Sequence, residues 1–389
     1  MDKIKFGIIG ADFTLRANMV MQYYPQDKSE LAAICDTNPA ILQRFMDENP
    51  GTSVKCYDSA EKMFADRDIQ AVFIMVRDFF HEELAVAALD AGKAVYLEKP
   101  IAITIEGCDR ILETAVRNKG KLFVGHNMRY FDSILKMKEV IDSGVIGEIQ
   151  SVWVRHFVNY GSCYFHHWCA EQKNCTGLLL QKGAHDIDII HWLTGAYSQR
   201  VVGMGRLSVY NRTSNHLSPG EAPDRKKAFQ DSSWPPLSID KLNPNMDVED
   251  HNMLLMQLSN GVQASYEHCM FSPDSERNYT FIGDRGRVEN IGDTGECEIH
   301  VWTSRTKRTT PDIVYHIKAK TGSHGGADAE IVKAFFDYLI YDKKPNVSPI
   351  AARYAVAAGV KGHYSMRNGN LPQDIPPLSQ EIIDYFSWK

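Results

Sequence analysis

Between residues 4 and 125 short apolar runs alternate with amphipathic segments of helical spacing, and few folds accept that alternation. The apolar runs fall at 4–10, 31–36, 71–76, 94–97 and 121–125, and the helical stretches at 15–23, 39–48, 82–91 and 104–118. Strands written as continuous apolar runs are buried on both faces, and a helix between each pair makes neighbouring strands parallel. The expectation is a doubly wound α/β domain over residues 1–124, with about six strand–helix units.

Beyond residue 124 the pattern changes. Runs at 149–156, 201–209, 252–258, 262–266 and 279–282 read as strands in series, and Asn260-Gly261 between two of them is a hairpin turn signal. The 389 residues also exceed what one hydrophobic core holds. A second α+β domain with a large, mainly antiparallel sheet is therefore expected over 125–389. Residues 211–248, rich in Pro, Ser, Asn and charge, read as an insertion-like excursion between strands, either a lid or an oligomer contact.

A net charge of −6, with 43 scattered basic residues, argues against nucleic-acid or membrane-surface partners and for a small ligand. No apolar run approaches the roughly 18 residues of a membrane span. Residues 1–5 read straight into a strand, so no signal peptide is expected, and the eight cysteines are not expected to form a disulfide framework. The expected location is cytoplasmic, with reduced thiols.

A dinucleotide fingerprint would put glycines at 10, 12 and 15, for a tight turn, close approach of pyrophosphate and helix packing. Only Gly10 fits; Ala11, Asp12 and Phe13 complete the turn. Asp36 ends the second strand, where a carboxylate accepts the ribose hydroxyls of an adenosine and repels a 2′-phosphate, which favours NAD over NADP. Arg77, Asp78 and His81 follow the 71–76 strand at the carboxyl edge, where such sheets bind ligands. Asp78 reads equally as a helix cap, and His81 as solvated helix surface.

Glu98-Lys99-Pro100 follows another strand at that edge. A partly desolvated Lys beside an oxidised nicotinamide has a lowered pKa, which suits proton exchange with a substrate hydroxyl. Further on, Cys163, His166, His167, Cys169 and Cys175 invite a zinc reading, but their spacing matches no common knuckle, and no metal is expected. Tyr164 and Trp168 in that stretch offer faces on which a sugar rests. His324-Gly-Gly-Ala-Asp328 precedes a helix and reads either as a cap or as backbone shaped for a ligand, with His324 as a substrate contact.

The Gly-x-x-Gly opening, Asp36, Glu98-Lys99-Pro100, the run Gly125-His-Asn127-Met-Arg129-Tyr and the run Gly183-Ala-His185-Asp186-Ile-Asp188-Ile-Ile-His-Trp192 resemble the glucose–fructose oxidoreductase/inositol dehydrogenase/rhizopine catabolism family, Gfo/Idh/MocA. The resemblance spans nearly the whole chain. It implies an N-terminal Rossmann domain, a C-terminal open-faced sheet that builds homodimers or homotetramers, and reversible oxidation of a sugar or cyclitol hydroxyl with NAD(H) or NADP(H). Asn127 and Arg129 join the cofactor contacts on this basis.

By motif, Lys99 matches the family's catalytic Lys, and His185 the His that binds the reacting hydroxyl and accepts its proton. The family's Asp four residues earlier is here Gln181, followed by Lys182. Glutamine cannot accept a proton or hold an imidazolium, so the Asp–His relay is absent or rebuilt. Asp186 or Asp188, also candidate substrate contacts, could supply the charge, and Lys182 is expected to face the site and act on the substrate. Two other activities of the family's type stay open: a glycosidase or lyase working by transient oxidation and elimination, and a catalytically idle regulator that senses a dinucleotide.

Overall fold

The computed structural model describes residues 3–387 apart from 15, 214, 225, 226, 229–232, 294, 306–308, 319 and 321. Leu15, first residue of the expected 15–23 helix and third position of the fingerprint, lies outside the described residues, as do Met1, Asp2 and parts of the 211–248 excursion. The chain divides into two compact units. One comprises Met1–Tyr130, Gly322–Arg353 and Leu378–Lys389; the other comprises Phe131–Thr321 and Tyr354–Pro377.

In the first unit, six described strands lie in the order β3-β2-β1-β4-β5-β6, all parallel. They are β1 (Ile4–Ile9), β2 (Ser29–Cys35), β3 (Lys55–Tyr57), β4 (Ala71–Ile74), β5 (Ala94–Leu97) and β6 (Leu122–Val124). The order reverses between β1 and β4, which is the doubly wound arrangement. The helices start where the sequence caps them: Asn38 accepts from Ala40 N ahead of Pro39–Glu48, Ser59 from Lys62 N ahead of Ala60–Ala65, and Thr104 from Gly107 N ahead of Ile105–Asn118. β3, three residues with little burial, carries no apolar run and is not legible in the sequence.

The core of the first unit draws on residues beyond 124. Phe73 on β4 stacks on Tyr96 of β5 at 4.9 Å, Tyr96 on Phe123 of β6 at 5.3 Å, and Phe335 closes edge-on over Phe73 at 5.0 Å. Phe335 and Phe336 belong to the helix Ala327–Tyr341, so a segment expected in the second domain returns to cover the first sheet. Aromatic burial outweighs chain order here.

The second unit holds nine described strands: β7 (Ile149–Phe157), β8 (Ser198–Arg206), β9 (His251–Leu258), β10 (Gln263–Cys269), β11 (Glu276–Gly283), β12 (Arg287–Ile291), β13 (Cys297–Trp302), β14 (Ile313–Ile317) and β15 (Gln373–Asp374). Their order is β14-β13-β12-β11-β7-β10-β9-β8-β15, antiparallel except where β7 meets β10. The Asn260-Gly261 hairpin forms between β9 and β10, with Gly261 at φ +90°. β9 alternates buried Asn252, Leu254 and Met256 with exposed Met253, Leu255 and Gln257, so one face of the sheet is covered and the other open. Part of the described stretch of 211–248 packs inward: Ile239, Leu242 and Val248 join Val158, Phe165 and Leu178 in an apolar cluster. No described helix is long and apolar enough to cross a membrane.

Candidate active-site residues

In the first unit the turn after β1 is built around Gly10. Its φ is +82°, and a Cβ there would lie 2.4 Å from the carbonyl oxygen of Met75, so only glycine fits. The next amide, Ala11 N, donates to Asp36 Oδ2 at 3.1 Å, while Asp36 Oδ1 accepts from Asn38 N at 2.9 Å. The Asp36 carboxylate is thus fixed beside the glycine turn at the carboxyl edge of the sheet. A tight glycine turn packed on the end of β4, with an anchored carboxylate beside it, fits the adenosine end of a dinucleotide.

The rest of the turn departs from the fingerprint. Asp12 Oδ1 accepts from Thr14 N, Thr14 Oγ1 and Arg44 Nη2 at 3.1, 2.7 and 3.1 Å. Partial burial raises the carboxyl's pKa, but the Thr14 hydrogen bonds and the Arg44 charge outweigh it and hold it below the usual range. Phe13 is packed on Phe45, ring centroids 5.5 Å apart. The acid is therefore neutralised locally and the aromatic ring is already engaged.

Glu98, ahead of Lys99, anchors a chain of charges that the sequence did not disclose. Arg16 donates through Nε and Nη2 to Glu98 Oε1 at 3.0 and 2.8 Å, and through Nη1 to both oxygens of Asp328 at 2.9 Å. Asp328 also accepts from Asn127 Nδ2 at 3.2 Å and pairs with His324 Nδ1 at 3.0 Å. His324, expected among the substrate contacts with Tyr164 and Trp168, belongs to the first unit and pairs with Asp328. Glu98 Oε2 faces Lys99 N at 3.2 Å, so the chain braces the backbone that presents Lys99.

His81 braces the same tripeptide from the other side. It is fully buried, with Nδ1 2.6 Å from Pro100 O and Nε2 3.3 Å from Val76 O. Burial lowers its pKa, and a neutral imidazole donates once, so the proton belongs on Nδ1 facing the closer oxygen. The expected cofactor contact, and its alternative as solvated helix surface, are both corrected: His81 positions residues 98–100. Arg129 is likewise buried, donating to Asn346 O at 2.5 Å inside the same unit, whereas Arg77 beyond β4 is exposed.

In the second unit, Gln181 ends a short helical turn and Lys182 precedes the helix Gly183–Thr194, on which His185 sits half-buried. Lys182 is only 8% exposed. Its Nζ donates to Tyr160 Oη at 3.0 Å and lies 5.2 and 5.6 Å from the ring centroids of Tyr160 and Tyr164. The Lys182 charge, aided by Arg277, lowers the pKa of the Tyr160 phenol despite burial, while burial raises that of Tyr164. Lys182 is therefore no solvated helix residue. Tyr160 had no sequence signal beyond lying just past a strand end.

Asp186 is committed elsewhere. Fully buried, it accepts from Arg277 Nε at 3.1 Å, Tyr266 Oη at 2.9 Å and Tyr279 Oη, and meets His156 Nδ1 at 3.0 Å. Burial alone would raise its pKa; His156, Arg277 and Tyr279 more than reverse that. His156, desolvated and beside Arg277, is pushed down to about 3 and stays neutral. With both oxygens engaged, Asp186 holds the helix against the sheet and is corrected from a substrate contact to a structural anchor. Asp188 is 1% exposed, and Tyr164 and Trp168 are half-buried.

Comparison with known proteins matches this arrangement to one family. A model described as "Oxidoreductase family, NAD-binding Rossmann fold" matches residues 4–126, and one described as "GFO/IDH/MocA C-terminal domain" matches 134–289. An inositol 2-dehydrogenase of Saccharopolyspora erythraea is 37% identical over 303 residues, covering 78% of this chain and 73% of its own. Another of Salmonella typhimurium is 32% identical over 192 residues, 49% of this chain and 53% of its own. A scyllo-inositol dehydrogenase of Lactobacillus casei, solved with NAD(H) and scyllo-inositol, shares the fold with a TM-score of 0.69 and 20% identity, over 96% of this chain and 99% of that one.

Proposed function

The chain belongs to the Gfo/Idh/MocA family of NAD-binding oxidoreductases, and from that premise we propose that it moves a hydride between NAD and a hydroxyl-bearing carbon of a sugar, sugar derivative or cyclitol. The observation that carries the cofactor half is the Asp36 carboxylate held on Ala11 N beside the tight turn at Gly10. That carboxylate accepts ribose hydroxyls and repels a 2′-phosphate, which favours NAD over NADP. The polyol half rests on the inositol dehydrogenases among the relatives.

Bound NAD supplies a hydride acceptor. The protein's part is to hold and deprotonate the alcohol. Lys99, presented by a backbone that Glu98 and His81 brace, and His185, at the start of its helix, are assigned to the reacting hydroxyl by the family resemblance. Tyr164 and Trp168 offer partly exposed rings to the apolar face of a sugar.

A panel of inositols, aldoses and sugar acids followed at the NADH absorbance, with product mass spectrometry, tests the reading. Oxidation of one class with NAD preferred over NADP is expected, and Lys99→Ala or His185→Ala should lower turnover by about 10²–10⁴. Release of an aglycone without net NADH would replace dehydrogenation by oxidation–elimination. Dinucleotide binding with no turnover on any polyol would overturn the enzymatic reading.

A further inference from the structure

The ammonium of Lys182 has an unusual setting. It is buried, and among the described residues no carboxylate lies within salt-bridge distance of it; its hydrogen bond goes to the phenol of Tyr160. Asp186, which could have balanced the charge, is taken by Arg277. A buried cation without a counter-ion is costly, and loss of the phenol proton would supply one at hydrogen-bond distance. The positively charged groups around Tyr160 come from two directions: Lys182 from the start of the Gly183–Thr194 helix and Arg277 from β11. Cys163 and Tyr164, from the Ser162–His166 helix, are the neutral titratable neighbours.

The pair is also placed near the expected chemistry. Lys182 and His185 are three residues apart at a helix start, a spacing that sets Cβ atoms about 5–6 Å apart on one face. Tyr160 keeps partial exposure while Lys182 is buried. Gln181 meanwhile offers His185 no charge.

We propose that Tyr160, paired with Lys182, is the group that exchanges the substrate's hydroxyl proton, leaving His185 to orient that hydroxyl. The step rests on the dehydrogenase reading above. In oxidation the carbinol C–H bond breaks and its electron pair leaves as hydride to the nicotinamide dinucleotide. The O–H bond breaks, its electron pair forms the carbonyl π bond, and its proton passes to the Tyr160 phenolate. Tyr160 then returns the proton to solvent. In reduction the phenol donates it. Lys182 acts through Tyr160 as a positioning residue, holding the phenolate.

Two readouts on the full chain test this. The first needs no substrate: tyrosinate formation followed by ultraviolet difference absorbance across pH. One tyrosine should ionise below the ordinary value of about 10. That step should vanish in Tyr160→Phe, move upward in Lys182→Met and return in Lys182→Arg. The second is kinetic: Tyr160→Phe should lower kcat by about 10²–10⁴ with NAD binding unchanged, and Lys182→Met should shift the pH profile of kcat/KM upward.

Near-normal turnover in Tyr160→Phe, or no early tyrosine step in the wild type, overturns the proposal. If the wild type turns over no polyol, the dehydrogenase reading fails by itself. The titration still decides whether Tyr160 and Lys182 form the pair.

Discussion

His81 Nδ1 lies 2.6 Å from the carbonyl oxygen of Pro100, and this bond ties the start of the His81–Asp90 helix to the tripeptide that carries Lys99. Glu98 is held from the opposite direction by Arg16, which Asp328 holds in turn. Lys99 is therefore presented by backbone fixed on both flanks. That is how a flexible side chain is kept near one reacting atom.

Replacing His81 with Leu should show the bond's worth. A buried carbonyl left without its donor costs about 1–3 kcal/mol, read as a lowered denaturant midpoint. A shift of Lys99 by a fraction of an ångström should cut turnover by ~10–100-fold. Lowered stability with unchanged kcat would confine His81 to folding.

Acid should destabilise the protein from near neutrality. Burial lowers the pKa of His81, His156, His268 and His363 from the ordinary 6.5, so the unfolded chain binds protons that the folded chain refuses. Stability is then full above 6.5 and falls as pH drops toward each folded value, about 3 for His156. Each such proton contributes a slope of up to ~1.4 kcal/mol per pH unit. Both ring nitrogens of His268 are buried with no hydrogen-bond partner among the described residues. His268→Phe should be near neutral in unfolding free energy above pH 7 and flatten the acid slope by about one proton. An unchanged slope would remove His268 from the account.

The strand–helix alternation of residues 4–125 made the first sheet legible, because strands buried on both faces must be written in apolar residues. What escaped the sequence was decided by contacts far apart in the chain. Phe335 joins Phe73 and Tyr96, which moves a C-terminal helix into the first unit. Arg16 meets Glu98 and Asp328 across long separations, and Tyr160 meets Lys182 only because β7 and the Gly183–Thr194 helix pack together. Asp186 read as a ligand group because a motif cannot show that Arg277 and two tyrosines claim its oxygens. Motifs pointed to segments, and only burial and partners show which of their side chains are already engaged.

Asp36 is expected to separate the two dinucleotides. Its Oδ2 is held by Ala11 N and its Oδ1 by Asn38 N, so it is positioned before any ligand arrives. Hydrogen bonds to a charged group are worth about 1.5–3 kcal/mol, so Asp36→Ala should weaken NAD by ~10–100-fold in a fluorescence titration. NADP should weaken less or improve, because a repelling charge is gone. Equal losses for both would assign Asp36 to the turn's architecture and leave selectivity with other groups.

The open face of the nine-stranded sheet bears on assembly. Trp153 on β7, Met204 on β8, and Met253 and Leu255 on β9 are 54%, 52%, 45% and 55% exposed. Trp153 and Leu255 flank Ser265 in one cross-strand row, so the apolar groups form a continuous patch and not scattered points. Contiguous exposed apolar surface of this kind marks a protein interface. We expect a homodimer or homotetramer in solution, with this face in the contact. Analytical ultracentrifugation of the wild type should show the oligomer, and Trp153→Glu, which puts a charge into the patch, should shift it toward smaller species. A monomeric wild type, or an oligomer indifferent to Trp153→Glu and Leu255→Glu together, would take this face out of the assembly.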